Sequence, residues 1–199
     1  MGDAGGLEVV PASEVIAMDE DPAVGVRRKK DASLVRCAEL VRDGKADAML
    51  SAGNTGAAMV AALLRMGRLR GVARPAIATP IPVPDSTPTV LIDAGANAEC
   101  TPQYLVQFAQ MGSVFAAARY GIASPRVGLL SIGEEPSKGT PLVKEAHKAL
   151  RAAGVNFVGN VEGRDVMTDA VDVVVTDGFT GNIVLKTLEG GLRALVRAV

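Results

Sequence analysis

The chain has 199 residues, of which 48% are hydrophobic and 22% charged, and its formal net charge is −1. These values predict a single folded domain over 1–199 with a large core, and they exclude general attraction to nucleic acid or anionic membranes. Cys37 and Cys100 are far apart and form no CxxC pattern for a disulfide framework or zinc site. With no apolar run near the roughly 20 residues of a membrane span and no signal peptide, we expect a soluble protein in a reducing, cytoplasmic setting.

Short apolar segments alternate with segments of helical periodicity along most of the chain. This alternation predicts an α/β fold in which a mostly parallel sheet carries helices on both faces. Strands are predicted near 7–10, 47–51, 75–79, 88–93, 126–132, 156–160 and 171–175. Helices are predicted near 31–43, 54–66, 102–120, 139–153 and 180–197.

The third of these helices has the clearest signals. Thr101 is a good N-cap and Pro102 suits the first helical position. One face of this helix is apolar and is predicted to be core rather than a cofactor site; it carries Tyr104, Phe108, Met111 and Phe115.

The stretch 79–88 contains four prolines. Proline cannot donate to a sheet ladder, so this stretch is not a central strand. We predict an exposed excursion, such as a lid or a dimer arm.

Two loops carry nearly the same signature, SAGNTG at 51–56 and DGFTGN at 177–182. Each lies between a predicted strand and a predicted helix, which is where open α/β sheets bind ligands. Glycine allows close approach of the backbone, and the N–H groups at a helix start favour an anion. The two loops therefore predict two cradles for phosphate or a similar oxyanion.

Two further loops, GEEPSKGT at 133–140 and DAGAN at 93–97, also follow predicted strands. The order Lys-Gly-Thr differs from the Gly-Lys-Ser/Thr of a P-loop, so nucleotide hydrolysis is rejected. Lys138 can still reach an anion as a compact charge, although an ordinary surface lysine is the alternative. All four loops are predicted to converge on one edge of the sheet.

Other catalytic chemistries have little support in the residues. His147 lies in a helical pattern and is predicted to be exposed, which argues against a Ser-His-Asp triad. Cys100 precedes a helix, where a thiolate is favoured, but it has no evident base partner. The scattered carboxylates have no metal-ligand spacing, so neither a metal nor another cofactor is implied.

The last predicted helix keeps an apolar stripe to the end of the chain, at Val184, Leu188, Leu192, Leu195 and Val199. A stripe that stops without a capping residue predicts a truncated chain. Gly190 and Gly191 each cost the helix about 1 kcal/mol relative to alanine. Close packing against another element or subunit would compensate for that cost.

Taken together, several motifs closely resemble the phosphate acyltransferase family (acyl-ACP:phosphate acyltransferases): SAGNTGA, LIDAGANAEC, LVQFAQMGSVFA, VGLLSIGEEPSKGT, FVGNVEGRD and VVVTDGFTGNIVLKTLEG. The resemblance begins near Leu7. It implies a three-layer α/β/α enzyme, usually a homodimer, that transfers a fatty acyl group from acyl carrier protein to inorganic phosphate. The acyl phosphate formed would serve bacterial phospholipid synthesis. The family's opening DxMGGD motif and its C-terminal segment are absent, so the chain is predicted to be truncated at both ends.

By this resemblance, Lys138 of GEExxKG and Asn182 of DGFxGN are the catalytic residues. Lys138 would hold phosphate or the developing oxyanion, and the Asn182 amide would donate to the carbonyl oxygen or position phosphate. The four loops are predicted to supply the substrate- and phosphate-binding residues Gly53, Asn54, Thr55, Gly56, Asp93, Gly95, Asn97, Gly133, Glu134, Gly139, Asp177, Gly178 and Gly181.

The expected partners are acyl carrier protein, inorganic phosphate and a second copy of the chain, without nucleic acid. Contact with the inner face of the membrane or with a downstream acyltransferase stays open. Three rival interpretations also stay open. They are a phosphotransacetylase-like enzyme that uses acyl-CoA, a decarboxylating dehydrogenase, for which no metal cluster or GxGxxG is found, and a non-catalytic fragment that binds carrier protein or a partner subunit.

Overall fold

A computed structural model of the chain describes Gly6 and residues 8–198. The chain divides into two compact units, Met1–Gly71 and Val72–Val199. The prediction of one domain over 1–199 stays a prediction. Leu7 and Val199, which belong to the predicted first strand and to the apolar stripe, lie outside the described residues.

The described part of the first unit contains three helices, α1 (Pro22–Arg28), α2 (Ser33–Arg42) and α3 (Thr55–Arg65). Helix α1 was not predicted, although the Asp21-Pro22 pair at its start is a recognisable signal. Asp21 caps it by accepting a hydrogen bond from the Val24 N–H. The core of this unit is built from small and branched residues: Ile16, Val26, Ala32, Leu34, Val35, Ala38, Ala57 and Ala61.

The strand predicted at 47–51 is wrong, and residues 8–10 of the first predicted strand are not in a strand either. A strand needs a neighbour to satisfy its backbone groups. In the described part of this unit, the only strand-like pairing is an isolated bridge between Glu14 and Ala32. Leu50 is consequently 95% exposed.

The second unit is built on a sheet of β1 (Ala78–Ile81), β2 (Thr89–Ile92), β3 (Arg126–Leu130), β4 (Asn156–Val161) and β5 (Val173–Val175). The strand order is β1-β2-β5-β3-β4. Strand β1 is antiparallel to β2, whereas the other pairings are parallel. The predicted mostly parallel sheet is therefore confirmed.

Proline explains the place of β1 in this sheet. Pro80 lies opposite Val90 within β1, at the edge of the sheet, and is exposed. A missing N–H is tolerated on an edge strand but not in the middle of a sheet. The prediction that the proline-rich stretch forms no central strand is correct, although its first residues do pair with β2.

Helices cover both faces of the sheet. Helices α4 (Pro102–Tyr120) and α5 (Pro141–Leu150) pack on the face that carries Val127 and Val173. The opposite face, which carries Leu91 and Val174, packs against the 3-10 helix Gly163–Met167 and α6 (Gly178–Ala198). Because successive strand residues point to opposite faces, the sheet is apolar on both sides and requires two helical layers.

Helix α4 agrees with its prediction in detail. Thr101 accepts a hydrogen bond from the Tyr104 N–H, and Gly121 ends the helix in the left-handed conformation with φ of 71°. Phe108 is fully buried in the core. Tyr104, Met111 and Phe115 pack against that core, as predicted for this face.

Helix α6 begins two residues earlier than predicted, and its first half is packed while its second half is exposed. Val184 and Leu188 pack against the sheet, whereas Leu192 is 43% and Leu195 65% exposed. A Cβ atom added at Gly190 or Gly191 would meet no atom of the described chain within 4 Å. The close packing expected at these two glycines is thus not found within the described residues.

An ion pair ties the amino end of β3 to the residue preceding β5. The Arg126 guanidinium donates to both carboxylate oxygens of Asp172, and the Arg126 N–H donates to one of them at 2.6 Å. Burial raises the pKa of the Asp172 carboxyl, but the hydrogen bonds from Arg126 outweigh burial and lower the pKa overall. Asp172 is only 7% exposed, so this pair is structural.

Candidate functional site

The carboxyl ends of β3 and β5 border a crevice in the second unit that can accommodate a ligand. These strands are neighbours, but β3 leads into α5 on one face of the sheet and β5 leads into α6 on the other. Loops that diverge in this way leave a crevice, which is the usual ligand site of open α/β sheets. A cavity of about 450 Å³ lies here, lined by Leu130, Ser131, Ile132, Gly139, Thr140, Val143, Gly163 and Thr180.

The loop after β2 is organised around the buried carboxylate of Asp93. Its Oδ1 accepts hydrogen bonds from the backbone N–H groups of Ile77, Gly95 and Ala96, and its Oδ2 accepts from the backbone and side-chain nitrogens of Asn97, at 2.8–3.1 Å. Asp93 is 0% exposed. With both oxygens occupied, this carboxylate shapes the loop, and any ligand contact in this loop would come from other groups.

Asn97 also has a structural part in this loop. Its side-chain Nδ2 donates to the Pro75 carbonyl at 2.8 Å as well as to Asp93. Gly95 has φ of 142°, a conformation that side chains rarely adopt. The predicted binding roles of Asp93, Gly95 and Asn97 stay predictions.

The loop after β5 packs directly on the Asp93 loop. Asp177 caps α6 by accepting hydrogen bonds from the Thr180 N–H and hydroxyl, both at 2.8 Å, which explains the early start of the helix. The Gly178 N–H donates to the Asn97 carbonyl at 2.8 Å. A Cβ atom at Gly178 would lie 2.7 Å from the Asn97 backbone, and one at Gly181 would overlap the Asp93 carbonyl oxygen. Glycine is therefore required at both positions by the approach of the two loops.

Asn182 follows these glycines on the first turns of α6. Its side chain lies against the Asp93 loop, because a Cβ atom added at Gly95 would stand 3.5 Å from the Asn182 Oδ1. Asn182 is nevertheless exposed. The amide is thus held beside a rigid loop and is accessible to a ligand.

The loop after β3 carries Lys138. The Lys138 stem lies across Gly133, since an added Cβ atom there would be 2.9 Å from the Lys138 Cγ. Gly139 has φ of 96° and lies on the cavity wall beside Val143. Lys138 itself is exposed. The loop therefore presents an ammonium group to solvent next to the crevice.

Two other residues of this loop differ in their surroundings. Glu134 pairs with Arg164 at 3.5 Å, but both side chains are 69% exposed and such a pair contributes little. Ser131 lines the cavity, and its buried Oγ has no hydrogen-bond partner among the described residues. An unpaired buried hydroxyl is costly unless a ligand or water completes it.

The structure thus brings three of the predicted loops to one edge of the sheet. The loops after β2 and β5 pack on each other, and the cavity joins the loop after β3 to the start of α6 through Gly139 and Thr180. Thr180 and Gly163 line the cavity but were not predicted as site residues. Their signal is positional, because each lies just after the carboxyl end of a parallel strand.

The SAGNTG loop belongs to the first unit. Asn54 is 7% exposed and caps α3, accepting from the Ala57 N–H at 3.0 Å while its Nδ2 donates to the Ala17 and Glu20 carbonyls. The Asn54 side chain is therefore used structurally. A Cβ atom at Gly56 would lie 2.7 Å from the Pro22 ring, and the Gly53 N–H donates to the Ser51 hydroxyl. The predicted phosphate contacts of Gly53, Asn54, Thr55 and Gly56 stay predictions.

The environment of Cys100 does not favour a thiolate. Burial raises the pKa of the Cys100 thiol, and the negative charges of Asp177 and Asp93 raise it further, against one lowering hydrogen bond from Gly178. Its Sγ donates to the Asn97 carbonyl at 3.4 Å. A protonated thiol is a poor nucleophile, so the helix start that follows Cys100 does not make it a candidate catalytic residue.

The prediction that His147 is exposed is wrong. It is 3% exposed, because α5 turns this position towards β4, where the ring packs edge-on against Phe157 and its Nδ1 lies 2.9 Å from the Asn160 Oδ1. This pair was not predicted, since His147 and Asn160 are on different elements. The Asn within FVGNVEGRD was the available signal.

Comparison with known proteins supplies the family. Residues 3–199 match the family described as "Fatty acid synthesis protein". A phosphate acyltransferase of Elusimicrobium minutum (strain Pei191) is 55% identical over 199 residues, which are 100% of this chain and 58% of that protein. The chain belongs to the phosphate acyltransferase family. A second relative of that name, from Myxococcus xanthus (strain DK1622), is 56% identical over 185 residues, which are 92% of this chain and 52% of the relative. The chain therefore spans little more than half the length of these family members.

Solved structures show the same fold at lower sequence identity. A phosphotransacetylase from Streptococcus pyogenes superimposes with a TM-score of 0.65 and 21% identity, covering 80% of this chain and 55% of that one. A branched-chain phosphotransacylase from Enterococcus faecalis V583 gives a TM-score of 0.53 and 18% identity, covering 78% and 63%. The predicted phosphotransacetylase-like α/β/α fold of this phosphate acyltransferase family member is confirmed. Among the described residues, no helix combines the length and apolarity that crossing a membrane requires.

Proposed function

We propose that this chain carries the catalytic site of an acyl-ACP:phosphate acyltransferase. It would transfer a fatty acyl group from acyl carrier protein to inorganic phosphate and give acyl phosphate for phospholipid synthesis. The observation that carries the proposal is the meeting of exposed Lys138 and Asn182 loops around a cavity at the carboxyl edge of β3 and β5. The proposal includes a cytoplasmic homodimer, with contact at the inner face of the membrane or with a downstream acyltransferase.

The reaction explains why such a simple set of groups suffices. Phosphate is already a nucleophile at neutral pH, so the site must neutralise its charge, orient it and stabilise the oxyanion that forms at the thioester carbonyl. A phosphate oxygen forms the bond to the carbonyl carbon, the carbon–sulfur bond breaks, and the thiolate of the carrier leaves and takes a proton from solvent. Lys138 would hold the phosphate, and the Asn182 amide would donate to the carbonyl oxygen.

The cavity suits the acyl half of the donor. Leu130, Ile132 and Val143 give it an apolar wall, and its volume of about 450 Å³ lies in the range of small-molecule sites. The hydroxyl of Ser131 is the polar group without a partner in that wall. A thioester carbonyl or phosphate oxygen near Ser131 would accept a hydrogen bond from this hydroxyl, whereas an apolar pocket without a ligand offers it no acceptor.

The test is acyl-phosphate formation by the purified chain with long-chain acyl-ACP, long-chain acyl-CoA or acetyl-CoA as donor, measured by trapping with hydroxylamine. Acyl-ACP is expected to be the preferred donor. Lys138→Ala and Asn182→Ala should each lower turnover by about 100-fold, the usual cost of losing one such group. Lys148→Ala, which removes an exposed lysine of α5, is the matched control.

Each alternative has its own result in this assay. Preferred use of acetyl-CoA would establish a phosphotransacetylase-like enzyme, which the fold of the solved neighbours favours as the second candidate. Binding of carrier protein without consumption of thioester would establish a non-catalytic fragment. Normal turnover in both Lys138→Ala and Asn182→Ala would refute the assignment of the site.

A further inference from the structure

We propose that His147 and Asn160 are positioning residues that hold the Lys138 loop in place for phosphate. This inference rests on the proposed role of Lys138 as the phosphate-binding cation. Both positioning residues lie outside the loop, His147 on α5 and Asn160 on β4. Neither contacts the proposed substrate, so their effect would be exerted through the backbone of the loop.

One carbonyl group joins the pair to the lysine. The Asn160 Nδ2 donates to the Glu135 carbonyl at 2.9 Å, and the Lys138 N–H donates to the same oxygen at 3.0 Å. A carbonyl oxygen has two lone pairs, so both donors are accommodated. The Lys138 backbone is therefore connected to β4 through a single acceptor, the Glu135 carbonyl oxygen.

The hydrogen bonds define the orientation of both side chains. The Glu135 carbonyl can only accept, so Asn160 turns its Nδ2 towards it and its Oδ1 towards His147. His147 must then carry its proton on Nδ1 in order to donate to that Oδ1 at 2.9 Å. This leaves Nε2 as an acceptor, and the Arg151 Nε donates to it at 3.4 Å.

The burial of His147 and Asn160 lets this pair hold the Lys138 loop in one position. His147 is 3% and Asn160 7% exposed, whereas residues 134–138 of the loop are exposed. A buried polar pair that loses one partner incurs the desolvation cost of the other, so alternative orientations are disfavoured. The edge of the His147 ring against Phe157 fixes the imidazole as well. An exposed loop is thus tied to the rigid interior immediately beside Lys138.

The first measurement is amide hydrogen exchange at Lys138 by NMR, which requires no acyl donor. Asn160→Asp keeps the acceptor for His147 but removes the donor to Glu135, and His147→Leu removes the donor to Asn160. Both should speed exchange at Lys138 by about 3- to 10-fold, the effect of one hydrogen bond. The Val143 amide, which is capped by Thr140, is the internal control and should not change. His147→Asn places an amide N–H where Nδ1 lies and should restore the wild-type rate.

The second measurement is the dissociation constant of inorganic phosphate, followed by calorimetry. Asn160→Asp and His147→Leu should weaken binding by about 3- to 10-fold, and His147→Asn should restore it. In a Lys138→Ala background, Asn160→Asp should change the constant less than about twofold, because the lysine to be positioned is gone. General damage to the site would instead persist in that background.

The outcomes separate this inference from the proposed function. Unchanged exchange at Lys138 in both variants overturns the inference, and so does an Asn160→Asp loss of phosphate affinity that persists without Lys138. If Lys138→Ala leaves phosphate affinity unchanged, the proposed role of Lys138 fails, and the exchange rates alone then decide whether the pair positions the loop. Should Asn160→Asp not fold, His147→Leu and His147→Asn form a complete comparison by themselves.

Discussion

Replacing Gly181 by alanine tests whether α6 and the Asp93 loop form one rigid wall. A Cβ atom at this position would overlap the Asp93 carbonyl oxygen and stand 3.0 Å from its carbon and 3.1 Å from the Thr176 Cγ2. Ordinary contacts begin at 3.4 Å, and the carbonyl belongs to backbone rather than to a flexible side chain. The start of α6 or the Asp93 loop must therefore move.

The magnitude follows from two opposing effects. Overpacking of this kind lowers the free energy of unfolding by about 1–3 kcal/mol, and a contact with backbone lies at the upper end of that range. Alanine raises it by up to about 1 kcal/mol, because its helix propensity exceeds that of glycine. The net loss is about 2 kcal/mol. For a chain of this length that corresponds to a melting temperature lower by about 4–8 °C.

The assay is thermal unfolding followed by tyrosine fluorescence. The chain has no tryptophan, and its two tyrosines, Tyr104 and Tyr120, both lie on α4, so the signal reports on the second unit. Gly190→Ala is the matched control, since a Cβ atom there would meet nothing within 4 Å, and it should stabilise by about 0.5–1 kcal/mol. Equal or higher stability in Gly181→Ala would refute the close approach of these loops.

Further predictions concern charge, acid stability and the cavity. Arg126→Met should destabilise by about 2 kcal/mol at neutral pH, less than for a fully buried pair because Arg126 is partly exposed. Since Arg126 lowers the pKa of Asp172, that stabilisation is present above the ordinary carboxyl pKa near 3.9 and is lost as the pH falls through the lowered pKa. Urea unfolding should therefore show a smaller difference in free energy of unfolding between wild type and variant at pH 3 than at pH 7, and an equal difference would contradict the pairing. The pKa of Asp31 is lowered from 3.8 to about 2, chiefly by the hydrogen bond from the Ser13 hydroxyl, so its contribution to stability is present above about 3.8 and is lost as the pH falls from there through about 2. Ser13→Ala removes the hydroxyl but keeps the backbone N–H that also donates to Asp31, so it should raise that pKa part of the way towards 3.8 in a carboxyl NMR titration; an unchanged pKa would exclude the Ser13 hydroxyl as the chief cause. Val143→Phe should fill part of the cavity and shift donor preference to shorter acyl chains in the acyl-phosphate assay, whereas an unchanged chain-length profile would place the acyl group elsewhere.

Local signals predicted most of the second unit. The N-cap Thr101 and Pro102 marked the start of α4, helical periodicity marked α5, and the apolar runs marked β2, β3, β4 and β5. These signals operate within a few residues of one another, so they can be read along the chain. The same reasoning failed at 47–51, because an apolar run becomes a strand only where a partner strand lies beside it.

The candidate site was predictable as a set of loops but not as an arrangement. Glycine and polar residues after strands identified the Asp93, Lys138 and Asp177 loops. The sequence does not show that the Asp93 carboxylate accepts hydrogen bonds from five backbone and side-chain donors of the protein instead of binding a ligand. That outcome depends on tertiary contacts, such as the one with Ile77, that the loop motif does not contain. The exposure of His147 was misjudged for the same reason, since His147 is on α5 and its partner Asn160 is on β4.

The amino-acid sequence by itself determined the α/β class, the family motifs and the residue types at the carboxyl edge of the sheet, because periodicity, capping and turn chemistry are local properties. The tertiary structure alone decided that β5 inserts between β2 and β3, which places the Asp177 loop on the Asp93 loop and next to the Lys138 loop. Strand order depends on long-range packing of the two sheet faces against α4, α5 and α6. That order requires Gly178 and Gly181 to be glycine and leaves Lys138 and Asn182 exposed at one crevice.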